Sequence, residues 1–174
     1  MRLAKLIVIA FICLAVSACS ALPAAVRGDF SDSPGLAAVQ SSGDSLNGRE
    51  VRWGGRVVGV QNRAAETRME IASQPLDSDA RPTGKSNGRF LAVFSGFLDP
   101  AVYGVGRELT VVGRVEGVVE QKIGDFPYHF PVVRVERQYF WPLPRPLYER
   151  YYWRDPWFDP WYPFVYPPFY SPWY

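Results

Sequence analysis

A chain of 174 residues with 19 basic and 17 acidic side chains carries a formal net charge of only +2, so it lacks the basic surplus that nucleic-acid binding draws on. Two cysteines and a single histidine are too few for a disulfide framework or an ordinary zinc site. The length suffices for one domain with a real core.

The chain opens with MRLAKLIVIAFICLAVSACS. Arg2 and Lys5 form a positive flank, and Leu6 to Val16 form an apolar run too short to span a bilayer but of the proportions of a secretory signal. The exit Val16-Ser17-Ala18-Cys19 resembles the lipobox of bacterial lipoproteins. That resemblance implies removal of residues 1–18 and diacylglycerol and acyl (palmitate-type) chains on Cys19, with Ser20 as the next residue. Each buried methylene contributes about 0.8 kcal/mol, so two or three chains anchor stably where one is marginal. By the sorting rule of enteric lipoproteins, Ser20 in place of Asp implies delivery to the outer membrane. Cys13 leaves with the signal, and loss of Arg2 and Lys5 leaves 17 basic and 17 acidic side chains.

Residues 19–47 read as the lipidated N-terminus and a tether, rich in Ala, Ser, Gly, Pro and Asp, with a short helix near 36–40. Residues 48–141 read as the folded domain. GREVRWGGRVVGV (48–60) returns as GRELTVVGRVEGV (106–118), with eight of thirteen positions identical at an offset of 58. Period-two alternation predicts two strands with Val51, Trp53, Gly55, Val57 and Gly59 on one inward face. Leu109, Val111, Gly113, Val115 and Gly117 hold the same phase in the second copy. Glu50, Arg52, Arg56, Glu108, Thr110, Arg114 and Glu116 fall outward. Inward glycines mark sharp bends or close backbone approach, as a small closed barrel needs. A ligand-binding glycine loop is the weaker reading, because neither copy opens a helix.

Between the copies, 67–74 and 89–95 read as strands, separated by the polar turn-rich segment 75–88. Asp99 followed by Pro100 predicts a short capped helical turn. Residues 132–140 supply a fifth strand. The expected fold is all-β, a five-stranded OB-like barrel with a short helical turn; an open β-sandwich is the alternative.

The lipobox ending in Cys19, GGRVVGV (54–60), MEIASQPLDSDARP (69–82), GRFLAVFSGFLDPAVY (88–103), GRVEG (113–117) and FPYHFPVVRVE (126–136) resemble the Slp family of starvation-inducible bacterial outer-membrane lipoproteins. The resemblance implies a lipid-anchored protein of the outer membrane, facing the periplasm and associated with stationary-phase or stress survival. It supplies no catalytic residue.

The residues themselves assign no catalytic group, no metal ligand and no cofactor. His129 could serve as a base, but a lone histidine among aromatics is more often a strand residue. Asp77 and Asp79 could meet calcium, yet Ala80 and Arg81 add no ligand, which favours a solvated turn. Glu116, Glu120 and Asp125 could pair as acid and base, and surface positions on a strand and hairpin explain them equally.

The tail, 142–174, is the sharpest feature. From Tyr148 to Tyr174, 14 of 27 residues are Phe, Trp or Tyr and six are Pro. Proline bars helices and central strands, so the rings cannot be buried by the usual routes. Trp153, Trp157, Trp161, Tyr162, Phe164, Tyr166, Phe169, Tyr170 and Trp173 form a candidate contact surface. Its destination is the barrel, the headgroup layer of the membrane, or an envelope protein or glycan partner. The expected function is a non-enzymatic envelope lipoprotein, structural or stress-related. The alternative is a periplasmic module binding an oligosaccharide or peptide in the groove of the barrel, with Phe90 and Phe94 readable as ligand-facing or as core.

Overall fold

The computed structural model describes residues 22–143. Five strands, β1 (Glu50–Asn62), β2 (Glu66–Gln74), β3 (Gly88–Ser95), β4 (Glu108–Ile123) and β5 (Phe126–Phe140), close into a barrel in the order β1-β2-β3-β5-β4. All pairings are antiparallel except β3 with β5, which is the OB-like arrangement expected. Helix α1 (Leu36–Ser42) and a 3₁₀ turn at Gly43–Leu46 precede the barrel, and α2 (Pro100–Tyr103) links β3 to β4. Asp99 caps α2 by accepting from Ala101 N at 2.9 Å, with Pro100 opening the turn, as the sequence predicts.

The two repeat copies lie side by side. β1 and β4 pair directly, with Val51 opposite Gly113, Trp53 opposite Val111 and Gly55 opposite Leu109. Val51, Trp53, Val57, Leu109, Val111 and Val115 are all buried in one cluster with Met69, Ile71, Phe90, Phe94 and Val133. A Cβ on Gly55 would collide with the carbonyl of Ala72, and one on Gly113 with the carbonyl of Arg134. These are the close approaches that inward glycines announce.

The alternation stops earlier than the sequence suggests. The register slips between Val57 and Gly59 in β1 and between Val115 and Gly117 in β4, the same repeat position in each copy. A bulge adds one residue and reverses the faces beyond it. Val60 and Val118 therefore pack against the core, whereas Gly59 and Gly117 belong to the bulges and not to a continuing inward row.

Two further readings are corrected. Described residues 22–47 are not a free tether. Val26, Leu36 and Val39 are buried, Trp53 Nε1 donates to the Pro34 carbonyl at 3.0 Å, and Gln40 Nε2 donates to the Tyr128 hydroxyl at 2.8 Å. Isolated apolar residues in a Ser/Gly-rich stretch carry no periodic signal, yet each fills a hollow on the barrel. Arg52, expected to stand free in solvent, holds this segment down. It donates to the Val26 carbonyl at 3.2 Å and lies 4.7 Å from the centre of the Phe30 ring.

Thr110 also leaves the outward set, because it is buried under Ala80 and Trp141. It donates to the Ala80 carbonyl at 2.6 Å and accepts from Trp141 Nε1 at 3.0 Å. The 75–82 turn can lie there because Asp77 Oδ1 accepts from both Asp79 N and Arg81 N. That bonding uses Asp77 as a turn staple, in line with the turn reading of Asp77 and Asp79.

Trp53→Ala is expected to destabilise the domain by about 3–5 kcal/mol, the usual range for a buried aromatic. Arg52→Ala should cost about 1–2 kcal/mol through the lost charged hydrogen bond and ring contact. Arg56→Ala, at an exposed ion pair, should stay within about 0.5 kcal/mol. Urea unfolding followed by circular dichroism ranks the three. Gly55→Ala and Gly113→Ala should yield little folded protein, since the collision in each is with backbone and not with a movable side chain.

Candidate functional site

In an OB-like barrel the ligand groove runs over the outer face of β2 and β3. Here the barrel covers much of that face with its own hairpin. Leu91 and Val93 on the outside of β3 are buried with Phe130 and Val132 of β5, and Ile123 and Tyr128 pack against them. Tyr128 meets Phe130 edge-on at 4.7 Å, and its hydroxyl accepts from Arg89 N at 2.8 Å. Phe90 and Phe94 point inward and are core. The hollow left beside the hairpin, between Gly59, Gln61, Arg68, Glu70 and Gln121, measures about 130 Å³. That volume is below the roughly 300 Å³ at which small-molecule pockets begin.

The charges around this face are bound to one another. Arg89 pairs with Glu70 at 2.6 Å, and Arg68 with Glu66 at 2.8 Å. Arg134 reaches Glu116 at 2.8 Å and Glu66 at 3.2 Å. The Arg68 and Arg134 hydrogen bonds hold the Glu66 carboxyl below its ordinary value, and Glu116 above all raises the Arg134 guanidinium. Of the carboxylates considered as an acid–base pair, Glu116 is thus committed to Arg134, while Glu120 and Asp125 lie exposed on the far arm of the hairpin. His129 is exposed opposite Glu120, and its carbonyl accepts from Gln40 Nε2 at 3.0 Å. Among the described residues, no group of three His, Cys, Asp or Glu converges in a way that could hold a metal ion.

A second depression, about 290 Å³, opens between the N-terminal segment and the ends of β1 and β2. Phe30, Arg52, Trp53, Gln74, Leu76 and Asn87 line it. Gln74 Nε2 donates to the Gly84 carbonyl at 2.6 Å, but Gln74 Oε1 is buried with no hydrogen-bond partner in the protein. Sequence reasoning missed this depression. Its walls come from four separate segments, and the packing of 22–47 that creates it leaves no motif. Cys19 and the nine tail aromatics from Trp153 to Trp173 lie outside the described residues.

The outer membrane lipoprotein Slp family matches residues 16–174. The chain belongs to that family. It is 45% identical over 134 residues to the uncharacterized lipoprotein YeaY of Escherichia coli (strain K12), covering 75% of this chain and 68% of that one. It is 34% identical over 134 residues to outer membrane protein Slp of the same organism, covering 74% and 70%. Among solved structures it is similar to a small single-stranded DNA-binding protein from Streptomyces coelicolor, at 17% identity and a TM-score of 0.36, over 53% of this chain and 94% of that one. This Slp-family chain is an outer-membrane lipoprotein.

Because Glu66 titrates below its ordinary value of 4.5 when folded, its pairing stabilises the fold above that pH. The contribution fades as pH falls through the lower folded value. The stability difference between the natural chain and Glu66→Gln should therefore be constant near neutrality and shrink below about pH 4.5. Urea midpoints at pH 7 and pH 3 check this, and a difference that does not change with pH would contradict it.

Proposed function

We propose that this Slp-family lipoprotein is a non-enzymatic element of the outer membrane, acylated on Cys19 after loss of residues 1–18 and facing the periplasm. Its role is structural or stress-related, exercised through contacts of the barrel and of the aromatic tail. The observation behind this reading is the way the barrel seals itself. Its interior is filled with Trp53, Met69, Phe90 and Phe94, and the apolar outer face of β3 lies under the hairpin. Most acidic strand residues are tied into ion pairs with arginine. What such a molecule offers others is surface.

Mass spectrometry of the mature protein should find no residues 1–18 and an acyl mass on Cys19. Cys19→Ser should leave the precursor uncleaved or the protein free of membranes. Deletion of 142–174 from a non-acylated chain should strongly weaken binding to outer-membrane vesicles, and that binding should resist added salt, since ring burial is not screened. Vesicle binding undiminished by the deletion would remove the tail from the mechanism.

A second reading has one observation in its favour. The depression beside Arg52 combines ring surface, a guanidinium and the side-chain amides of Gln74 and Asn87, a mixture suited to an oligosaccharide or peptide. Titration with cell-wall oligosaccharides and periplasmic peptides, read by chemical-shift changes at Gln74 and Asn87, tests it. Silence at both residues would dismiss it.

A further inference from the structure

We propose that the end of the barrel closed by residues 96–106 faces the bilayer and lays Phe97, Val102 and Val105 into its headgroup layer. These three side chains are 70%, 49% and 71% exposed. They share one short connection, GFLDPAVYGVG, whose only charge is Asp99, and the Asp99 carboxylate is turned back onto Ala101 N. The connection cannot rotate to hide them. Its other side is fixed to the barrel, where Leu98 and Tyr103 pack on the core and Tyr103 lies 4.6 Å from Phe140. Leu98 N and Gly96 O are further pinned by Thr67 Oγ1 at 3.0 and 2.9 Å.

The occupant follows from where the lipid end of the chain reaches the barrel. Leu22 packs in the outer-wall cluster of Val26, Ala80 and Val112. The Ala80 carbonyl accepts from Thr110, Thr110 accepts from Trp141, and the Trp141 carbonyl accepts from Arg107 Nη2 at 3.4 Å. Arg107 directly follows the apolar connection. A continuous strip of contacts thus joins the entry of the chain to the exposed patch. Only three residue steps separate Cys19 from Leu22, a reach of about 11 Å at full extension.

This inference rests on the acylation of Cys19 proposed above. Given that anchor, the barrel cannot stand off on a long tether, and the strip beside Leu22 stays close to the headgroups. Phe126 on the β4–β5 hairpin is equally exposed, but it lies 14 residues along β5 from Phe140, about 45 Å of strand, among Glu120, Lys122 and Asp125. Of the two, the 96–106 connection is the apolar surface within reach. Bulky apolar side chains with few charges near them suit the interface.

Acylation consumes Cys19, so a cysteine introduced elsewhere is the sole free thiol of the mature chain. Phe97→Cys, Val105→Cys, Ser45→Cys and Asp125→Cys would be made in the full lipoprotein. Each would be labelled with an environment-sensitive fluorophore and reconstituted into phosphatidylethanolamine–phosphatidylglycerol vesicles, with and without lipids carrying a nitroxide. Intact mass would confirm the acyl chains in every variant. The expected result is blue-shifted emission at positions 97 and 105, with nitroxide quenching several-fold stronger than at 45 and 125. Water-like emission at both 97 and 105 in a chain of confirmed acyl mass overturns the orientation while leaving the anchor standing. Blue-shifted emission that the lipid nitroxide does not quench means that protein covers the patch, and overturns it equally. Absence of the acyl mass removes the anchor reading, and the proposal with it.

Discussion

Closing five strands into a ring this small requires β1 and β4 to bend hard around the core while their neighbours come within backbone contact. The requirement is met by one device used twice. Gly55 and Gly113 occupy the same repeat position, and each lets a neighbouring carbonyl sit where a Cβ would be: Ala72 of β2 in one case, Arg134 of β5 in the other. Two positions further along, each copy slips register, between Val57 and Gly59 and between Val115 and Gly117. A glycine admits the close neighbour and a bulge supplies the extra twist. Since the copies pair with each other, both bends act at the centre of the β2–β1–β4–β5 arc.

Closure decides where interactions with other molecules can occur. The ring interior is filled by large apolar side chains, and the usual outer groove is filled by the hairpin. The outer wall of β4 receives the 75–82 turn and the N-terminal segment, held by Arg52, Thr110 and Trp141. Among the described residues, the large apolar side chains that remain exposed lie on the 96–106 connection, on the hairpin arm and at Leu143, the last residue described. A barrel so thoroughly covered by its own chain has its contacts set by the places where that covering stops.

Much of this architecture was legible in the residues, for reasons that can be named. Alternation from Val51 to Val57 and from Leu109 to Val115 is long enough to fix an inward face, and the repeat doubles the signal. Asp99-Pro100 is a local capping device that works without tertiary help. The bulge is different: the one-residue slip belongs to the pairing of β1 with β2 and of β4 with β5, so reading past Val57 or Val115 by simple alternation fails. Thr110 looked like a solvent-facing threonine because the residues that bury it, Ala80 and Trp141, are some 30 positions away in either direction. Val26 and Val39 gave no periodic signal, and Arg52 resembled any outward arginine until Phe30 and the Val26 carbonyl were placed beside it. The Gln74 depression was invisible for the same reason.

The charge pattern bears on attachment more than on stability. Without Arg2 and Lys5 the chain carries 17 basic and 17 acidic side chains, so no net field draws it to anionic lipid. Many of its arginines are also spent within the fold. Arg68, Arg89, Arg114, Arg134 and Arg137 all face carboxylates across the barrel surface. Exposed pairs of this kind contribute little to stability, about 0–1 kcal/mol each, but they neutralise the outer wall. A surface neutral in total and paired in detail leaves the proposed acyl chains and apolar side chains as the means of holding a membrane. In the attachment proposed above, the aromatic composition of residues 148–174 and the three bare side chains of the 96–106 connection would act alike, through burial of apolar surface that added salt does not screen.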